Sequence, residues 1–338
     1  MTIDGRVRLL TQPDYLLTSI DVANSEFVYH PISRSLVNTN RFLVKGIRAP
    51  GSSDTFRIDV DTALDWARSN PEPHSARMIF HTSFCGSTLL ANILSGAGNA
   101  TCYREPDFLS DLASLKAAKS PLLESRGRWH EIIAFAVMQF QKSWKSETVF
   151  TKASNWANPI IPDLMEALPD LRLLTISMNL EDYLIANLRG GKSRLAWSLE
   201  LLNHLLACGQ VNRCQVLEVE RAGLNSVQRL LRLLIILHDS QVNFLDRHLE
   251  SYARLGFTEL TSAPLSSIHR GAHALSMRLH SENITPTLST ELSRHSKAAS
   301  QPFSPQEEAA ENARLYTEIG DELFAALDWQ RERYRETG

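Results

Sequence analysis

Residues 78–90, MIFHTSFCGSTLL, set Ser83, Gly86, Ser87 and Thr88 directly behind a short apolar run. That grouping suits an oxyanion. A glycine lets the backbone approach a phosphate or sulfate closely, hydroxyls donate hydrogen bonds, and the first N–H groups of a following helix carry partial positive charge. The spacing is not that of GxxxxGK[ST]. Aligning Gly86 with its last glycine puts His81 at the first glycine and Ser87 at the lysine. The competing reading is a plain strand-to-helix turn with Ser87 as its N-cap.

Other residues could complete an anion site. Glu105 ends a second short apolar run, and a carboxylate there suits proton removal from an acceptor; a salt bridge to Arg104 or Lys152 is the alternative. Lys152 closes a third run, where it either reaches a phosphate or stands solvated at a strand end. His81 precedes the loop and is read as a buried residue that orients it or contacts substrate. The stretch Arg294-His295-Ser296-Lys297 gathers cations and hydroxyls in one loop, and Arg189-Gly190-Gly191-Lys192 does so at a helix end. The first is anion contact or an ordinary basic loop. The second reads better as a glycine helix stop. CGS at Cys85 resembles part of a papain-type signature, but Thr88 breaks it, and CxxxxxR fails because Ala91 stands at the arginine. His204, His238 and His248 lack ligand spacing, so no metal site is expected.

HTSFCGSTLLANIL followed by YREPDFL resembles the sulfotransferase family, especially its bacterial and carbohydrate-type branches. The family's first loop runs Pro-(Lys/Arg)-Ser-Gly-(Ser/Thr)-Thr, and a Glu-Pro pair follows the second strand. Ser83, Phe84, Cys85, Gly86, Ser87 and Thr88 correspond to that loop and Glu105-Pro106 to that pair. TKASNWANPIIPDLMEALPDLRLLTISMNLEDYL matches the next strand, helix and strand more loosely. The resemblance implies a P-loop NTPase-like α/β fold and sulfuryl transfer from 3′-phosphoadenosine 5′-phosphosulfate to a hydroxyl or amine of a small-molecule or carrier-bound acceptor. It makes Glu105, Lys152 and His81 the catalytic candidates. It makes the loop residues, with Arg294, Ser296 and Lys297, the donor-binding candidates. Phe84 stands where the family has a basic residue. Matching Asp182 to the family's later Arg-x-Pro-x-Asp-x-x-x-Ser puts Met178 at the arginine and Ala186 at the serine, the two residues that hold the donor's 3′-phosphate. A kinase or other nucleotide-dependent transferase of the same fold, and a non-catalytic binding relative, are the alternatives.

The elements that must position these groups follow from periodicity. Apolar runs at MIFHTS, NATCY, ETVFTKAS, DLRLLTISM and CQVLEVERAG are expected strands, separated by helical patterns such as STLLANILSG and LEDYLIANLR. Alternating strands and helices imply a parallel sheet flanked by helices. Residues 1–74 are expected to form a small β-containing layer (EFVYH, RFLVKGI, TFRIDV) on the 75–338 domain, with 70–74 as linker. A helix is expected over 126–146, a helical acceptor-side region over 225–283, a polar loop over 285–305 and a C-terminal helix after it.

The chain has 338 residues, 43% hydrophobic and 22% charged, which suffices for a large core. A formal charge of −3 speaks against a nucleic-acid binder. No apolar stretch approaches the roughly 18 residues of a membrane span, and the first residues lack a leader's apolar run. Four cysteines without paired CxxC spacing fit reduced thiols in a cytoplasmic protein.

Overall fold

A computed structural model describes residues 3–44, 46–71, 75–123, 126–250, 252–295, 298–302 and 304–337. Its first part comprises α1 (Ile3–Thr11), β1 (Tyr15–Asp21), β2 (Glu26–Pro31), α2 (Arg34–Thr39), β3 (Phe56–Asp59) and α3 (Val60–Ser69). The central part runs β4 (Arg77–His81), α4 (Ser87–Gly98), β5 (Thr101–Arg104), α5 (Asp107–Ala117), α6 (Arg126–Gln139), β6 (Val149–Lys152), α7 (Ile161–Ala167), β7 (Arg172–Ser177) and α8 (Leu180–Arg189). The remainder is α9 (Gly191–Ala207), α10 (Arg213–Arg221), α11 (Ser226–Leu249), β8 (Ala253–Gly256), α12 (Phe257–Ser262), α13 (Pro264–Ala274), α14 (Ser281–Leu292), β9 (Arg294–His295), β10 (Ala298–Pro302) and α15 (Pro305–Thr337).

Five of these strands form a parallel sheet in the order β5-β6-β4-β7-β8. Its strands are short and apolar because both faces are covered. Along β4, Met78 and Phe80 enter one buried cluster and Ile79 the other, as the two-residue period of a strand requires. On one face Ile79, Leu174 and Ile176 meet Leu90, Ile93 and Leu94 of α4. On the other, Met78, Phe80 and Tyr103 join Phe108 of α5 and Phe135 of α6. The antiparallel β1-β2-β3 sheet packs onto that second cluster. Phe27 stacks on Phe135 with centroids 4.7 Å apart and meets Phe108 edge-on at 5.9 Å.

Several expected elements are placed differently. CQVLEVERAG is not a strand: 213–221 is helix α10, started by the Asn212 side chain accepting the Cys214 N–H, with Val219 buried. The fifth strand is β8 instead. RFLVKGI carries no strand among its described residues, and the first layer takes its third strand from β1. The helix expected over 126–146 stops at Gln139. Within the expected polar loop, α14 extends to Leu292, and β9 pairs antiparallel with β10. The linker's 72–74 lie outside the described residues. No described helix is long and apolar enough to cross a membrane.

Lys142 ties the two parts together. Its ammonium donates to the Leu9 and Tyr15 carbonyl oxygens and lies 5.4 Å from the Tyr29 ring centroid. Burial pulls its pKa down to about 7, with nearby Asp14 opposing. Above that pH the folded chain has released a proton that the unfolded chain still holds, so stability rises with pH toward the ordinary lysine value. The expected slope between pH 7 and 9 is at most about 1.4 kcal/mol per pH unit. Urea denaturation of Lys142→Met across that range should lack this component; an unchanged slope refutes the assignment.

Candidate active site

In a parallel sheet, ligands bind beyond the carboxyl ends of the strands, where connections leave in opposite directions. Here β4 sits between β6 and β7: the chain leaves β4 for β5 on one side and later crosses from β6 to β7 on the other. The loop from Thr82 to Gly86 lies at that point. It lines a cleft of about 1390 Å³ together with Glu105, Asn155 and residues of α8, α9 and α15.

The loop is shaped for close backbone approach. Gly86 is the N-cap of α4 in the left-handed region, φ 79°, and no side chain caps the helix. The cap is thus Gly86 and not the Ser87 of the competing reading, and the first N–H groups of α4 have no side-chain acceptor from the cap. A Cβ on Gly86 would stand 3.0 Å from Phe257 Cδ2 and 3.3 Å from Leu260 Cδ2. Gly86→Ala is expected to lower stability by about 1–3 kcal/mol and to weaken anion binding. Chemical denaturation and pyrophosphate titration check both; unchanged values overturn the reading. Phe84 also has positive φ, 61°. Ser83 Oγ accepts from Asn155 Nδ2 at 2.7 Å, and that amide also donates to Gln241 Oε1 at 3.0 Å. Ser87 and Thr88 are buried in the first turn of α4. The Cys85 thiol bonds to the Thr82 and Ile176 carbonyl oxygens, and burial pushes its pKa up. That environment opposes a nucleophilic thiolate.

Glu105, Lys152 and His81 meet at the strand ends. Parallel pairing of β5 with β6 sets Arg104 opposite Lys152. The next residue, Glu105, adopts φ 48° and donates its N–H to the Lys152 carbonyl oxygen. Its carboxylate forms an ion pair with the Lys152 ammonium, whose side chain is 1% exposed, while its own is 18% exposed and lines the cleft. Lys152 is thus neither solvated nor at the rim. The His81 ring bonds through Nδ1 to the Thr82 carbonyl oxygen at 2.6 Å, which makes Nδ1 the donor and leaves Nε2 3.8 Å from Glu105 Oε1. Arg104 takes another direction: it donates to Asn92 Oδ1 and to the Val37 carbonyl oxygen.

The facing wall comes from α8, α9 and α15. Arg189 donates to Asn312 Oδ1 and forms an ion pair with Glu308. Met178 and Ala186, both nearly buried, line the cleft where the resemblance would place ligands of a phosphate. Arg294 begins β9, while Ser296 and Lys297 lie outside the described residues. Sequence reasoning did not single out Asn155, Gln241 or Arg194. Asn155 and Gln241 carry no local motif; Arg194 extends the basic stretch that includes Arg189 and Lys192. Among the described residues no group of three His, Cys, Asp or Glu side chains is arranged to hold a metal ion.

No family model matches the chain, and no curated protein does. Two solved structures are similar to it at a distance. A sulfotransferase domain from the curacin biosynthetic pathway is 12% identical, with 73% of this chain and 97% of that one covered at a TM-score of 0.40. A sulfotransferase from Alicyclobacillus acidocaldarius is 17% identical, with 74% and 97% covered at a TM-score of 0.35.

Proposed function

We propose that this chain is a sulfuryl transferase that uses 3′-phosphoadenosine 5′-phosphosulfate as donor and a hydroxyl or amine as acceptor. One observation carries the reading: the uncapped, glycine-opened start of α4 and the Glu105 carboxylate line the same cleft. The loop N–H groups and the Ser87 and Thr88 hydroxyls would hold the donor's terminal oxyanions. Glu105 would take the acceptor's proton as the acceptor oxygen or nitrogen attacks sulfur. The bond from sulfur to the bridging phosphate oxygen then breaks, and the start of α4 steadies the charge left on that phosphate. Lys152 fixes the Glu105 carboxylate at the strand ends.

The expected result of calorimetric titration is binding of adenosine 3′,5′-bisphosphate at micromolar or tighter affinity, with ATP and GTP weaker. Preferred binding of ATP or GTP transfers the site to a kinase-type reading. A second reading is a non-catalytic binding protein, favoured by the apolar Phe84, Met178 and Ala186 along the cleft. Absence of binding by all three nucleotides supports that one.

A further inference from the structure

The cleft contains an arginine that the catalytic assignment leaves unused. Arg194, in the first turn of α9, holds its guanidinium 4.8 Å from the centroid of the Phe84 ring. Phe84 is in turn set by Trp197, edge-on at 5.6 Å, and by Tyr183 at 6.2 Å. Arg194 Nη1 donates to the Ala186 carbonyl oxygen. The side chain is therefore fixed from two directions, by a ring on the loop and by the backbone of α8. Its remaining N–H groups have no partner among the described residues, and the residue lines the cleft.

Two further observations point to an anion. Arg189, the neighbouring cation, is already neutralised by Glu308 and bonded to Asn312. Arg194 has no ion pair among the described residues and is half-buried; burial and Arg189 oppose its charge, and Glu311 and Glu308 of the facing helix support it without bonding to it. Space has also been reserved for its stem. A Cβ on Gly190 would lie 2.2 Å from Arg194 Nε and 2.6 Å from its Cβ, so only glycine at 190 admits this placement.

We propose that Arg194 forms an anion subsite beside the Ser83–Thr88 loop and takes a phosphate or sulfate group there. The guanidinium offers a planar fork of donors to a tetrahedral oxyanion, and the Phe84 ring keeps the fork oriented without consuming its N–H groups. Loop and arginine together select a ligand with two anionic groups. That last step rests on the donor reading above; the subsite itself does not.

Calorimetry with inorganic pyrophosphate and with adenosine 3′,5′-bisphosphate tests it on the full chain. Arg194→Ala should weaken both by about tenfold or more, Arg194→Lys by less, and Arg189→Ala by under about threefold. Arg194→Gln, which keeps a donor for Ala186, serves in place of Arg194→Ala should that variant fail to fold. Equal affinity of wild type and both charge-removing variants overturns the subsite and leaves the donor reading standing. Arg194-dependent pyrophosphate binding without bisphosphate binding supports the subsite and removes the donor reading. Binding of neither probe by the wild type overturns both.

Discussion

Glu105→Gln is expected to lower sulfuryl-transfer turnover by about 10²–10⁴-fold, the usual range for loss of a positioned general base. Affinity for adenosine 3′,5′-bisphosphate should change by under about threefold. The split follows from geometry. Glu105 lies at the end of β5 with its carboxylate on the cleft, whereas the loop N–H groups belong to the start of α4. Glu105 is also held at φ 48°, an uncommon conformation for a side chain with a Cβ, and the β5–β6 pairing maintains it. The measurement is steady-state turnover at saturating donor, with bisphosphate affinity determined separately. Turnover within about threefold of wild type would remove Glu105 as base. His81 would then be the group to replace, since its Nε2 lies 3.8 Å from Glu105 Oε1 and the imidazole also lines the cleft.

The parts of this site that were legible in the sequence are those fixed by local pattern. MIFHTSFCGSTLL reads as strand, loop and helix because a short apolar run gives way to polar residues and a glycine, followed by apolar residues at helical spacing. The strands at 101–104, 149–152 and 172–177 follow for the same reason. The fifth strand does not, because ARLG offers four residues with only Leu255 buried, too short for any period to show. CQVLEVERAG misleads in the opposite sense. Its alternating Leu217, Glu218, Val219 and Glu220 imitate a strand, but Val216 and Val219 are three apart and α10 packs on α11. At nine residues, the cap and one packed face decide between the two periods.

What stayed hidden is what tertiary pairing brings together. Glu105 and Lys152 are 47 residues apart and meet only through the parallel register of β5 and β6. The sequence offered their salt bridge as one possibility beside a free, rim-exposed lysine, and spacing could not choose between them. Phe84 and Arg194 are farther apart still. The loop residue that breaks the resemblance is the residue on which the arginine rests. Under the proposed anion subsite, the charge that Phe84 does not supply comes from Arg194 on α9.

The second large effect is in stability, and it is asymmetric. Removing one member of a buried ion pair leaves an uncompensated charge and costs about 3–5 kcal/mol, whereas replacing both with uncharged groups of similar shape is often neutral. The two members differ in exposure: the Lys152 side chain is 1% exposed and Glu105 is 18% exposed on the cleft. Glu105→Gln strands the more deeply buried charge and belongs at the upper end of that range. Lys152→Met leaves a carboxylate that cleft water can reach, so its loss should be smaller, about 1–3 kcal/mol. The double variant Glu105→Gln/Lys152→Met should recover most of the stability lost in Glu105→Gln. It should not recover turnover, because the base is still missing. Urea denaturation of the four proteins gives the cycle, and turnover of the double variant separates the chemical role of Glu105 from its structural one. Additive losses would show that the pair is not coupled. Turnover returning with stability would show that Glu105 serves the fold and not the reaction.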